Sequence, residues 1–217
     1  MKKIRICHLY GNLLNTYGDN GNLLMLQHIA QQRGFEVSCQ VVSLEDHFDP
    51  QAYDLVFFGG GQDYEQKVIA RQIHMLRPGL EEYIESEGVL LAICGGYQLL
   101  GHYYVNSKGE KLAGLSILDH VTERQINSRF TGDIKIYSDY FNEELVGFEN
   151  HNGVTTLGPN SRAFGRVVEG HGNNGQDQTE GCHYKNTFAS YLHGPLLVQN
   201  PWLAEELVTL ASHKASS

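Results

Sequence analysis

Leu90-Leu91-Ala92-Ile93-Cys94-Gly95-Gly96-Tyr97-Gln98-Leu99-Leu100 decides how this chain is read. An apolar run enters a cysteine, then two glycines, then a helix start, the layout of a nucleophile elbow. A sharp strand-to-helix turn holds its apex residue in a strained backbone conformation. It also crowds the flanks, so small neighbours are needed, and Ala92 and Gly96 supply them. The sulfur is expected above the C-terminal edge of a sheet, at a helix N-terminus that favours a thiolate. The next amide, that of Gly95, points to where an oxyanion would form. A cysteine ending a buried strand is ordinarily a packed small hydrophobe. The glycine pair and the strand–helix context turn the reading toward a nucleophile.

Outward from the elbow, apolar runs alternate with helical patterns. Ile4–Leu9, Glu36–Val42, Leu55–Phe58 and Val89–Ile93 read as strands. Asn22–Gln32 reads as a helix stopped by Gly34. Gln62–Glu87 reads as helical in two pieces broken near Pro78, and Gly96–Tyr104 as a further helix start. The alternation predicts an α/β, doubly wound, mostly parallel sheet in a single domain over residues 1–217. The second half differs. Ile134–Tyr137, Val146–Glu149, Phe164–Val168 and Asn186–Tyr191 are β-like, predicting antiparallel strands added at one sheet edge. Gly170–Glu180 reads as a polar turn or exposed loop to which no chemistry is assigned, and Trp202–His213 as a closing helix.

Composition removes several classes of function. The chain has 217 residues, 41% hydrophobic, with a formal net charge of -9. No basic stripe exists to neutralise phosphates, which argues against nucleic acid as partner. No apolar run approaches the roughly 18–20 residues of a membrane helix, and no secretory pattern follows Lys2 and Lys3, so a cytoplasmic protein is expected. Cys7, Cys39, Cys94 and Cys182 form no CxxC pair, so no metal site is expected. The cysteines other than Cys94 read as structural, and His102, His151 and His171 have no motif context.

Two further segments join the elbow. Gly59-Gly60-Gly61 follows the apolar run Leu55–Phe58. Its backbone N–H groups could approach a ligand closely and complete an oxyanion hole with Gly95. The bland alternative is a tight turn, and no P-loop pattern is present. His193, in Tyr191-Leu192-His193-Gly194-Pro195, follows a strand and precedes a turn. Strand-end loops of a parallel sheet converge on one edge, and a thiol nucleophile needs a residue able to act as both base and acid.

At these residues the chain resembles the class I glutamine amidotransferases, through Ala92-x-Cys94-x-Gly96-x-Gln98. The Tyr191–Pro195 segment is closest to their cobyric-acid-synthase-like branch. Within it, Asn15–Asn22 and Phe58–Gln66 resemble the glutaminase subunits that serve lipid II amidation. The resemblance implies a flavodoxin-like glutaminase fold. It also implies L-glutamine as substrate, Cys94 as nucleophile, His193 as proton carrier, and an oxyanion hole near Gly60 and Gly95. Ammonia would pass to a Mur-ligase-like synthetase subunit of the MurT type. That partner would hold ATP and Mg, with no cofactor in this chain. The wider class carries His-Pro-Glu, whereas here His193 is followed by Gly194 and Pro195. Asp19 is the best candidate for the missing acid, and Glu205 a weaker one. Arg129 matches the arginine placed to hold the glutamine α-carboxylate. Gln98 either lines the pocket or bonds backbone at the helix start. Open alternatives are another cysteine hydrolase of this architecture, the glutaminase of a cobyrinate-type system, and a non-catalytic binding module.

Overall fold

The computed structural model describes residues 2–215. The first half runs β1 (Lys3–Leu9), α1 (Asn20–Gln32), β2 (Glu36–Val42), β3 (Leu55–Phe58), α2 (Asp63–Ala70), α3 (Arg77–Glu85), β4 (Val89–Ile93) and α4 (Gly95–Leu100). The second half holds β5 (Tyr103–Val105), β6 (Lys111–Ala113), β7 (His120–Arg124), β8 (Phe130–Ser138), β9 (Glu143–His151) and β10 (Gly153–Leu157). It continues with β11 (Gly165–Glu169), β12 (Thr179–Glu180), β13 (Cys182–Tyr184), β14 (Thr187–Ser190), α5 (Leu196–Gln199) and α6 (Pro201–Lys214).

The central sheet has the order β13-β14-β4-β3-β1-β2. Every neighbouring pair in it is parallel except β13–β14. Such a sheet is covered on both faces, which is why β3 and β4 read as continuous apolar runs. Val56 and Phe58 face a cluster with Tyr83, Ile84 and Tyr97. Leu55 and Phe57 face the opposite cluster with Leu23, Leu26, Leu203 and Leu207 from α1 and α6. Each such side chain, fully buried, contributes about 1.5–3 kcal/mol. A one-residue slip of β3 would exchange the two faces.

The structure corrects three expectations. Among the described residues only β13 adds an antiparallel strand to the sheet edge; β14, within the expected Asn186–Tyr191 strand, pairs parallel with β4. Strands β5 to β12 form two separate four-stranded sheets, β10-β7-β5-β6 and β12-β11-β8-β9. The nine-residue strands β8 and β9 pair with each other along their whole length through a short hairpin. That local closure costs less chain entropy than reaching a distant edge. The helix expected over Gly96–Tyr104 stops at Leu100, because Tyr103 and Tyr104 pair with β6 and β7. The Gly170–Glu180 segment is not a bare surface loop. Asn173 and Glu180 are buried, and Thr179–Glu180 pairs with β11. Pro78 lies in the first turn of α3, where its missing N–H costs no helical bond, and the break falls before it. Among the described residues, no helix is long and apolar enough to cross a membrane.

Candidate active site

Cys94 sits between β4 and α4 with φ 50 and ψ -101, outside the regions open to an ordinary side chain. Such a conformation costs about 1–3 kcal/mol and persists only when its surroundings hold it. Here the Cys94 N–H donates to Ser190 O at 2.9 Å, and its carbonyl accepts the Gln98 N–H at 3.0 Å. The Gly96 N–H donates to Gly59 O at 3.1 Å. A Cβ on Gly96 would lie 2.4 Å from the Phe58 carbonyl oxygen, so glycine alone lets α4 start this close to β3. The thiol-bearing residue is half-buried and packs against both core clusters.

The Gly59–Gly61 loop leaves the end of β3 and abuts the elbow. A Cβ on Gly60 would be 3.2 Å from the Cys94 Cβ. The Gly60 N–H donates to Asp19 Oδ2 at 2.6 Å, so this expected oxyanion donor is engaged by a carboxylate. Gly95 is held close to the same loop: a Cβ on it would lie 3.1 Å from the Gly61 nitrogen.

His193 arrives from β14 on the neighbouring strand. Its backbone forms a two-bond bridge with Phe148 of β9, at 2.8 and 3.0 Å. Its ring stacks on Phe148 at 5.5 Å and meets the edge of Tyr17 at 4.8 Å. Nδ1 is 3.9 Å from Asp19 Oδ1, and neither ring nitrogen has a hydrogen-bond partner. Burial alone would lower the imidazole pKa. Asp19 and Cys94 outweigh it and raise the value to about 9. The geometry therefore favours an imidazolium beside Cys94 at neutral pH.

Asp19 closes the loop that follows β1 and is almost wholly buried. It lies beside both Gly60 and His193. Glu205 is exposed on α6, 3.5 Å from Arg33, and Asp19 holds the position beside the histidine. Arg129 is exposed, and its Nη2 donates to Asn150 O at 3.3 Å. Asn150 Nδ2 in turn donates to the Tyr17 hydroxyl at 2.6 Å, so Arg129 and the aromatic cover of His193 are one residue apart. A cleft of ≈ 450 Å³ lined by Leu13, Asn15, Tyr17, Gln62 and Glu65 opens beside them. Gln98 lies in a buried chain. Its Oε1 accepts from Gln66 Nε2 at 2.9 Å, and its Nε2 donates to the Tyr191 hydroxyl at 3.2 Å. Tyr191 continues to Thr155 and Thr122.

Several residues around the site had no motif. Phe148, Glu149 and His151 follow one another along β9. Glu149 accepts the His171 N–H at 2.8 Å, His171 Nδ1 at 2.6 Å and the Gly172 N–H at 3.0 Å. His151 lies face to face on Tyr191 at 3.7 Å. The available signal was the period-two burial of Leu145, Glu149 and His151, which share one strand face. All four cysteines are free. Burial pushes the thiols of Cys7 and Cys182 up, the latter to about 12. Among the described residues, no cluster of three or more His, Cys, Asp or Glu side chains could hold a metal.

The geometry has counterparts in known proteins. A model of the CobB/CobQ-like glutamine amidotransferase domain matches residues 5–201. The chain is 51% identical over 212 residues to the lipid II isoglutaminyl synthase (glutamine-hydrolyzing) subunit GatD of Streptococcus pneumoniae, covering 98% of this chain and 82% of that protein. It is 39% identical over 214 residues to the GatD subunit of Staphylococcus aureus, covering 99% and 86%. Among solved structures, the glutaminase domain of Trypanosoma brucei CTPS with bound acivicin superposes with a TM-score of 0.61 at 11% identity, covering 99% of this chain and 94% of that one. A glutamine amidotransferase crystal structure gives 0.59 at 17%, covering 95% and 98%. At such low identity these two speak for the fold alone.

Proposed function

The chain belongs to the CobB/CobQ-like glutamine amidotransferase family, and from that premise we propose that it is the glutaminase subunit of a lipid II isoglutaminyl synthase. The observation that carries this reading is a positive-φ cysteine at a strand–helix elbow with a buried imidazole beside it. Similarity along nearly the whole of this chain to two GatD subunits supports the acceptor.

Glutamine binds with its side-chain amide at Cys94. The Cys94 thiolate attacks the amide carbon, forming a C–S bond and placing negative charge on the former carbonyl oxygen. The Gly95 N–H, joined by that of Gly60 once released from Asp19, holds this oxyanion. The imidazolium of His193 gives its proton to the leaving nitrogen, the C–N bond breaks, and ammonia departs from a thioester. His193, now neutral, takes a proton from water as it attacks the thioester carbon. Collapse breaks the C–S bond, releases glutamate and restores the thiolate–imidazolium pair. Asp19 orients the imidazole, in the role of the acid missing after His193. Arg129 pairs with the substrate α-carboxylate. Gln98 steadies the floor of the pocket through Gln66 and Tyr191.

Ammonia passes to a Mur-ligase-like partner of the MurT type. That partner would hold ATP and Mg, which would supply the activation of the α-carboxylate of D-glutamate in the lipid II stem peptide for its conversion to D-isoglutamine. The work is placed in the cytoplasm, where ATP is available.

The test is glutamate release by wild type and Cys94→Ala, each alone and co-expressed with a MurT-type partner. Activity in the wild-type complex, lost in a folded Cys94→Ala complex, is the expected result. A folded wild-type complex that releases no glutamate overturns the reading.

A further inference from the structure

β14 ends at Ser190, yet the chain must still carry His193 over to Cys94. Residues 191–193 leave the ladder, so their backbone N–H groups need other acceptors in a buried place. The His193 N–H finds Phe148 O. The Tyr191 N–H donates to Glu180 Oε1 at 2.6 Å. The Leu192 N–H donates to Ser190 Oγ at 3.0 Å, and that hydroxyl donates to Glu180 Oε2 at 3.1 Å. One fully buried carboxyl group thus serves the two residues that precede the histidine, with both oxygens engaged.

Glu180 is itself held in place. The Gly181 N–H donates to Asn173 Oδ1 at 2.9 Å, and Asn173 Nδ2 returns to Gly181 O at 2.9 Å. Gly181 has φ +64, and a Cβ there would lie 2.1 Å from Ala189 O, so the turn after Glu180 is pressed against β14. A buried ionisable group is costly to keep where an apolar one would pack, and no step of the glutaminase chemistry uses this one. Its contacts all go to the backbone approach of His193.

We propose that Glu180 is a positioning residue of the glutaminase reaction, fixing through the Tyr191 N–H and Ser190 the turn that sets His193 against Cys94. This rests on the reading of Cys94 and His193 as the reacting pair. Without the acceptor, the turn relaxes and the imidazole loses its place, while Arg129, the group that meets the substrate α-carboxylate, makes no contact with Glu180. A misplacement near 1 Å is enough to cost on the order of a hundredfold in rate.

The experiment uses the intact chain in complex with its synthetase partner, with melts to confirm folding. Glu180→Ala lowers kcat by at least about tenfold and leaves the glutamine KM within about twofold. Glu180→Gln keeps an acceptor for Tyr191 and a partner for Ser190, and restores kcat. A second readout does not depend on glutaminase activity: the pH profile of Cys94 alkylation by iodoacetamide, followed on the Cys94 peptide by mass spectrometry. The groups facing His193 are Cys94, Asp19 and Tyr17, with His151 from β9 and Glu180 itself. Glu180→Ala moves that profile, because an imidazole displaced from Asp19 and Cys94 no longer keeps its proton up to about 9. A folded Glu180→Ala protein with wild-type kcat and an unmoved profile overturns the proposal, as does a Glu180→Gln variant as impaired as Glu180→Ala. If Glu180→Ala does not fold, Ser190→Ala removes the acceptor for the Leu192 N–H and one hydrogen bond to Glu180 while leaving the Tyr191 N–H its own, and an unchanged kcat there overturns it too. Failure of the glutaminase reading shows separately, as a wild-type complex without glutamate release, and the alkylation profile then decides Glu180 alone.

Discussion

Gly96→Ala sets a new methyl group against the backbone of β3. Its Cβ would meet Phe58 O at 2.4 Å and both Phe58 C and Cγ at 2.9 Å. Ordinary contact begins at 3.4 Å, so about 1.0 Å must be found between α4 and β3. The obstruction is backbone in a buried strand paired on both sides with β1 and β4, so it cannot swing away. α4 must move instead, and Cys94 at its head moves with it. Alanine gains up to about 1 kcal/mol in helix propensity. Overpacking costs about 1–3 kcal/mol and lies at the upper end where backbone is struck. The net is a loss of about 2 kcal/mol, or about 4–8 °C in Tm for a chain of this size. A nucleophile shifted by about 1 Å loses on the order of a hundredfold in kcat. Glutamate release by the partner complex, with thermal melts, measures both. A Gly96→Ala protein with kcat within twofold of wild type and an unchanged Tm refutes the argument that this glycine sets the elbow.

Other outcomes are expected from the same geometry. In Asp19→Asn the strongest influence raising the His193 pKa is lost, so the alkaline limb of kcat/KM, set by an imidazolium of pKa about 9, moves to lower pH and kcat falls at least about tenfold. Full activity with an unchanged pH profile removes Asp19 from the mechanism. Arg129→Ala raises the glutamine KM by at least about tenfold while the melt is unchanged, since the side chain is exposed and makes one long contact. Normal kinetics remove that assignment. Burial pushes the Glu180 carboxyl up to about 8, so the folded chain keeps a proton that the unfolded chain loses near 4.5. The stability this confers is complete below that lower value and is lost as pH rises through about 8. Glu180→Gln therefore gains on wild type in Tm between pH 5 and 9, and a difference constant with pH contradicts the buried neutral acid.

What was legible in the sequence was what the chain decides locally. Strain at Cys94 demands small residues within two positions, so Ala92 and Gly96 announce it. Strands buried on both faces appear as unbroken apolar runs, which is why Leu55–Phe58 and Val89–Ile93 match their observed bounds. Asp19 follows from topology, because the loop after β1 opens at the same edge as those after β3, β4 and β14. The small sheets were illegible because β5, β6 and β7 are only three to five residues long and half-exposed. Glu180 was hidden for another reason. A glutamate among Gly, Asn and Gln looks solvated, and its burial is created by Ser190, Tyr191 and Asn173, which only the fold brings around it.

The carboxylate of Asp19 faces two ways, one oxygen on the Gly60 amide and the other toward the imidazolium of His193. Its negative charge is divided between them. A ligand or partner that turns the Gly60 peptide away takes a donor from Asp19 and leaves its charge to the histidine alone. The imidazole then holds its proton more firmly. Linkage requires the converse, that a protonated imidazole makes the peptide easier to release. Backbone movement at the glycine loop and proton occupancy at the histidine are thus two coordinates of a single equilibrium. Because the imidazole titrates near 9, a turn of the Gly60 peptide is accompanied by proton uptake only around that pH, and at neutral pH the charge is already in place.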